Sequence, residues 1–325
     1  MKPTLIFFTL FLVLVSYGQT TLMWNKKAPL PSYSRGYFAH FVIDSNFYLI
    51  GGVDTSINLL NEVWQYSIKS DTWQRKINCP FGKVDQAPGF ALKGKGYLCT
   101  GLDSTVFCTK LFWEYDPKVD SWTHKADFPG VLRQSASSFT FGNSAFIALG
   151  TECGFPLKDI WEYNSTSDSW TQRTSLPDTG RFGSGVAVLD SFAYFWGGID
   201  INANLHNEIW RYSILGDYWT KMNNSPSLGR RFPLVGNVGN TILAGFGDST
   251  FHAYCHDLYR YDIIHDVWQP IICQNYTDSG SSGVSNFTYN KNLYFFGGEA
   301  GIGVFTRNMW ATDASTLSKI GRAHV

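Results

Sequence analysis

Charge is what this 325-residue chain has least of. Asp, Glu, Lys and Arg together make up 16% of it, and its 26 basic residues are matched by 26 acidic ones. A sparsely charged, balanced chain offers no basic surface to track a phosphate backbone, so nucleic acid is excluded as an expected partner. Methionine is scarce too, at 4 residues. Beyond the N-terminus no run is long and apolar enough to span a bilayer, which takes about 20 residues of helix. There is no Gly-x-Ser-x-Gly elbow, no phosphate loop and no Cys-x-x-Cys pair. Aromatics are what the chain has in plenty: 12 Trp, 17 Tyr and 25 Phe, with 31 Gly. That composition favours strands over helices.

Both ends read as separate from the fold. Lys2 is a positive n-region, Leu5 to Val15 an apolar core, and Ser16-Tyr17-Gly18 places small residues at −3 and −1. Residues 1–18 are therefore a predicted signal peptide, cleaved after Gly18, because an apolar run of about 11 residues is too short to span a membrane. The mature chain is expected outside the cytoplasm, secreted, periplasmic or at the cell surface, with no transmembrane segment. No Cys stands at the cleavage point, so no bacterial lipid anchor is indicated. Residues 319–325, Lys319 to Val325, resemble a translated sequencing adapter and are set aside with His324. The folded domain is expected within 20–318.

Internal repetition dominates that domain. Trp24, Trp73, Trp122, Trp170, Trp219 and Trp268 follow one another at intervals of 48 or 49 residues. Pro31, Pro80, Pro129, Pro177 and Pro226 come seven residues after the first five, with Asn275 in the sixth place. Tyr66, Tyr115, Tyr163, Tyr212 and Tyr261 come seven residues before the last five. Each unit reads as four strands: Phe38 to Val42, Phe47 to Ile50 stopped by Gly51-Gly52, Glu62 to Tyr66, and a fourth around Trp73. The glycine pair recurs at Gly197-Gly198 and Gly297-Gly298, and is expected to survive singly as Gly101, Gly150 and Gly245.

An apolar run, a Gly-Gly pair, then Tyr and Trp about six residues apart: this pattern resembles the Kelch repeat over roughly residues 22–318. The resemblance implies an all-β, six-bladed β-propeller of four-stranded antiparallel blades around a central channel. Trp24 and Pro31 are the end of a repeat whose start is missing. Met309-Trp310 matches a third strand with no Trp after it. The N-terminal strand is therefore expected to close the last blade, removing the ring's open edge. A truncated seven-bladed ring is the alternative, because Lys319 falls where a seventh Trp would stand.

Alternating strand direction puts two sets of loops on one rim. One set carries Arg35, Arg133, Arg181 and Arg230, each four residues after its Pro, with Lys83 near the place in blade two. The other carries Asp54, Asp103, Glu152 and Asp200, with Asp248 and Glu299 close by. These charges either pair with one another and with carbonyls to fix the loops, or line the channel mouth and bind an anionic group such as an acidic sugar. His252 and His256, in the loop that holds Cys255 and Asp257, have metal-ligand chemistry but no recognised spacing, so no metal and no cofactor is expected. In an exported chain, disulfides are expected for Cys108 with Cys153 and for Cys255 with Cys273, whereas Cys99 is expected as a free core thiol.

Two relatives with this fold are enzymes, the copper galactose oxidases and the sialic acid mutarotases. His40, His124, His206 and His265 are too scattered to build the first type of site. The leading expectation is a monomeric propeller that binds a protein or glycan at its loop rim. The alternative is a sugar isomerase such as a mutarotase, with its site at the channel mouth.

Overall fold

The computed structural model describes residues 20–80, 82–105, 107–249, 253–278, 282–315 and 317. The leader at 1–18, the tail at 319–325 and His252 lie outside the described residues. The architecture is six four-stranded antiparallel sheets, as the repeat demands. In blade one the order from the axis outward is Ala39–Ile43, Asn46–Ile50, Val63–Ser67 and Thr72–Lys76. The innermost strands of the other five are Gly89–Leu92, Ser137–Phe141, Gly185–Leu189, Leu234–Val238 and Ser285–Tyr289.

Each sheet is covered on both faces, which is why the last four residues of its second strand are buried on both sides. In Phe192–Trp196, Phe195 packs with Phe139 and Phe146 of blade three, while Trp196 packs with Val235 and Ile242 of blade five. Burial of side chains this large stabilises each seam by roughly 1.5–3 kcal/mol per residue.

A polar clasp repeats at the outer edge of the seams. Tyr66, Tyr115, Tyr163, Tyr212 and Tyr261 donate their hydroxyls to Asp71, Asp120, Asp168, Asp217 and Asp266. The same Asp oxygens accept the backbone N–H of Ala28, Ile77, Ala126, Thr174 and Asn223 in the preceding blade at 2.9–3.3 Å. Four of the repeat indoles then donate to a carbonyl of that same neighbour: Trp73 to Ala28, Trp170 to Ala126, Trp219 to Thr174 and Trp268 to Asn223. The regular Tyr and Trp thus hold a backbone as well as filling volume.

Closure uses the N-terminus. Asn25–Lys27 pairs antiparallel with Met309–Asp313 and supplies the outer strand of blade six, so the ring closes at six. One element escaped the repeat pattern: Thr20–Met23 runs parallel to blade five's outer strand, Thr20 opposite Ile271 and Met23 opposite Gln274. The N-terminal segment therefore ties two blades together, with Trp24 buried between them against Phe295 and Tyr276.

The second glycine of each pair has a positive φ, 89° at Gly52 and 99° at Gly198. A Cβ on Gly52 would come within 2.7 Å of the Gly36 carbonyl, so both conformation and space demand glycine there. In blade five that place belongs to Gly247, at φ 78°. Gly245, expected from the sequence to fill it, instead ends the second strand.

Candidate functional site at the channel mouth

The chain turns from each blade's outer strand into the next inner strand at the axis. The turn residues are Tyr37, Gln86, Ser135, Gly183, Phe232 and Gly283, and all six have φ between 49° and 66°. Four of them are not glycine, and each such left-handed residue costs roughly 1–2 kcal/mol. Their backbones run head to tail around the axis. Gln86 N–H donates to Tyr37 O at 2.7 Å, Ser135 to Gln86 at 2.9 Å, Gly183 to Ser135 at 3.2 Å, Phe232 to Gly183 at 2.6 Å and Gly283 to Phe232 at 3.3 Å. This collar holds its side chains at the channel mouth.

The glycines in the collar make room for its rings. A Cβ on Gly183 would come 3.0 Å from the Phe232 ring, and one on Gly283 3.0 Å from the Tyr37 ring. Tyr37 and Phe232 meet edge to face, with centroids 5.4 Å apart. The Tyr37 hydroxyl donates to Glu299 at 2.7 Å. Burial first, and that bond second, push the phenol's pKa well above its usual value. Glu299 also accepts the Gly303 N–H at 2.9 Å. Beside it, Asp248 accepts from Arg231 Nε and from the Ser282 hydroxyl, both at 2.9 Å.

Below the collar lies a cavity of about 240 Å³. That is somewhat below the roughly 300–1,000 Å³ usual for small-molecule sites. Its lining is mixed. Tyr37, His40, Gln86, Ser135, Ser138 and Asn286 contribute polar groups, and Val186, Phe232, Pro233 and Val235 contribute apolar surface. Desolvation lowers His40 to about 4, with a backbone hydrogen bond involving Asn286 opposing it, so the imidazole is neutral at ordinary pH.

The arginines singled out in the sequence are elsewhere. Arg35, Arg133, Arg181 and Arg230 are at most 2% exposed. Arg35 pairs with Glu62 at 2.6 Å, Arg133 with Asp159 at 2.7 Å, Arg181 with Glu208 and Asp178 at 2.9 Å, and Arg230 with Asp257 at 2.6 Å. Three also donate to the carbonyls of Gly51, Leu149 and Phe246. Burial raises Glu62, but its bonds to Arg35 and Trp64 outweigh that and hold it at about 2.

Blade two has Val84, not Lys83, in the arginine's place, packed in one apolar cluster with Leu111 at the carboxylate's place. Complementarity that changes on both sides at once marks these positions as fasteners within the blade. Blade six has Asn308 at the carboxylate's place, donating to Asp278 at 3.0 Å.

The candidate carboxylates divide. Asp54 and Asp200 are buried and fold back on their own loops, accepting from Ser56 and Asn58 and from Asn202 and Asn204. Asp103 does the same with Thr105, and Glu152 sits in a short hairpin opposite Phe155. Glu299 alone of the sequence candidates touches the collar. Tyr37, Gln86 and Phe232 went unnoticed because they share a backbone position and not a residue type.

No disulfide joins any two of the six cysteines, all of which are described. Cys108 lies within hydrogen-bonding reach of Cys153 in the adjacent blade, and burial raises its pKa. Cys255 instead donates to the Ala253 carbonyl on its own loop, and Cys273 packs by Trp24. Cys99 is fully buried in blade two. His256 is exposed, and among the described residues no group of three or more His, Cys, Asp or Glu is placed to hold a metal ion.

No curated protein sequence matches the chain. A solved structure described as that of YjhT shares the fold, with TM-score 0.74 and 14% identity over 86% of this chain and 95% of that one. Residues 34–76 match the Kelch motif, and residues 133–298, half of the chain, match the KLHDC2/KLHL20/DRC7 Kelch-repeats domain. With the Tyr and Trp of every repeat accounted for in the seams and the ring closed at six blades, the chain belongs to the Kelch-repeat family.

Proposed function

We propose that this propeller is an extracytoplasmic binding module for a glycan, held one sugar unit deep at the channel mouth. The mixed cavity lining carries the reading. A pyranose has an apolar C–H face and a hydroxylated edge, and the lining combines apolar Val186, Phe232 and Val235 with polar His40, Gln86, Ser138 and Asn286. An isomerase using the same wall would need an acid and a base that titrate near neutrality. Within the cavity lining, Tyr37 is raised and His40 lowered away from that range, and Asp85, the carboxyl that burial raises to about 7, stands on the collar's flank outside that lining.

The test is a neutral-glycan array followed by calorimetry on the mature chain. Phe232→Ala is expected to weaken the best sugar by about tenfold, a loss of ~1.4 kcal/mol of packing on its apolar face. Binding by no glycan, or an unchanged affinity in Phe232→Ala, would sink the reading. A protein ligand found instead would point to the loop rim.

Export is supported by the leader pattern at residues 1–18, and the Cys108–Cys153 contact suits an oxidising compartment. The intact mass of the exported chain is expected to show cleavage after Gly18 and loss of two hydrogens at one bridge. Peptide mapping should join Cys108 to Cys153 and leave Cys99 reduced. A full-length mass, or no joined peptide after oxidation with glutathione disulfide, would refute the corresponding part.

A further inference from the structure

Among the described residues, no Asp, Glu, Lys or Arg lines the cavity. Its only titratable groups are Tyr37 and His40, both neutral at ordinary pH for the reasons given above. The hydrogen-bonding wall is therefore made of uncharged amide, hydroxyl and imidazole groups.

The charges nearest the collar add a bias. Around Tyr37 stand Asp248, Glu299 and Arg231, and Arg231 is already bonded to Asp248. Two carboxylates against one guanidinium give the mouth a negative field, which opposes the approach of an anion. The four arginines that could have reversed this are buried in their blades, each bonded to a carboxylate. Turning one toward the axis would strand its carboxylate without a counter-charge, so these cations are not available to a ligand.

We infer that the mouth selects uncharged, polyhydroxylated sugars and excludes those bearing a carboxylate or phosphate. The inference rests on the glycan reading and narrows its substrate class. A carboxylate carried into this cavity sheds its water and meets neutral donors with no cation behind them, whereas a hydroxyl exchanges one set of neutral hydrogen bonds for another. It also runs against the expectation that an arginine-lined funnel takes acidic sugars.

The discriminating experiment uses ligand pairs that differ only at one carbon: glucose with glucuronic acid, and galactose with galacturonic acid. N-Acetylneuraminic acid is a third probe. Calorimetry on the mature chain is expected to show the neutral member of the pair that binds to be favoured by about 100-fold. Its affinity should not change with salt, because no ion pair forms. In the cavity wall, Gln86→Arg is expected to narrow or reverse the preference. Uronic or neuraminic acid binding as tightly as a neutral hexose overturns the charge inference and leaves the glycan reading standing. A total absence of sugar binding removes the glycan reading, and this inference with it.

Discussion

Removing residues 20–27 is expected to abolish single-step cooperative unfolding, leaving a chain that aggregates. Those eight residues contribute both the outer strand of blade six and the parallel fifth strand of blade five. Leu22 and Trp24 are each 1% exposed, and losing a buried Leu and a buried Trp costs roughly 2–5 and 3–5 kcal/mol. That sum is comparable to the whole stability of a typical domain, about 5–15 kcal/mol. The exposed edge of Met309–Asp313 would then offer unpaired backbone to other chains. Urea unfolding followed by Trp fluorescence, with light scattering, checks this. A truncated monomer with an unchanged midpoint would show that the closure adds nothing. Trp24→Ala alone should lower stability by about 3–5 kcal/mol while keeping the two strands.

Arg133→Ala is expected to destabilise the fold by about 3–5 kcal/mol, because it leaves Asp159 ionised and mostly buried without its partner. Burial raises Asp159, and the bonds from Arg133 more than offset that, so its folded value lies below the ordinary carboxylate range. A depressed carboxylate contributes stability that is present above its unfolded value of about 3.9 and drains away as pH falls through the lower folded value. The destabilisation should therefore be largest near neutrality and shrink in acid. Blade two points to the rescue: Arg133→Val with Asp159→Leu copies the Val84 and Leu111 pair. It is expected to recover most of the loss, since an apolar pair often replaces a buried ion pair at little cost. If the double variant folds well but loses glycan binding, Arg133 is a ligand residue and its assignment as a fastener is wrong.

Asp85 shows how far local context can bend a repeated position. It occupies the collar's flank in blade two and is 6% exposed, with Oδ1 unpartnered; burial, partly opposed by Gln86, raises it to about 7. A raised carboxyl works in the opposite sense to Asp159: its contribution is present below about 3.9 and lost as pH climbs toward 7. Blades five and six put Arg231 and Ser282 at that place, each partnered by Asp248. Position within the repeat does not by itself determine charge state.

What the sequence determined alone is the ring: six indoles at one spacing, each later one preceded by its Tyr, and an N-terminal Trp with no strand of its own to follow. These signals are legible because every blade meets the same neighbour in the same way, so one physical demand is written six times. The Asp two residues before Trp73, Trp122, Trp170, Trp219 and Trp268 was equally legible, and a search for it would have found the clasp. Only the tertiary structure decided the rest. The arginines recur at one repeat position in four blades, but periodicity cannot say whether a side chain turns into its blade or toward the axis. Here the carboxylates of Glu62, Asp159, Glu208 and Asp257 took them inward. The parallel strand Thr20–Met23 depends on where the chain lies after the ring has closed. The collar brings Tyr37, Gln86, Ser135 and Phe232 together from four different blades. They share a backbone turn and no chemistry, so the convergence that makes a site exists only once all six blades surround one axis.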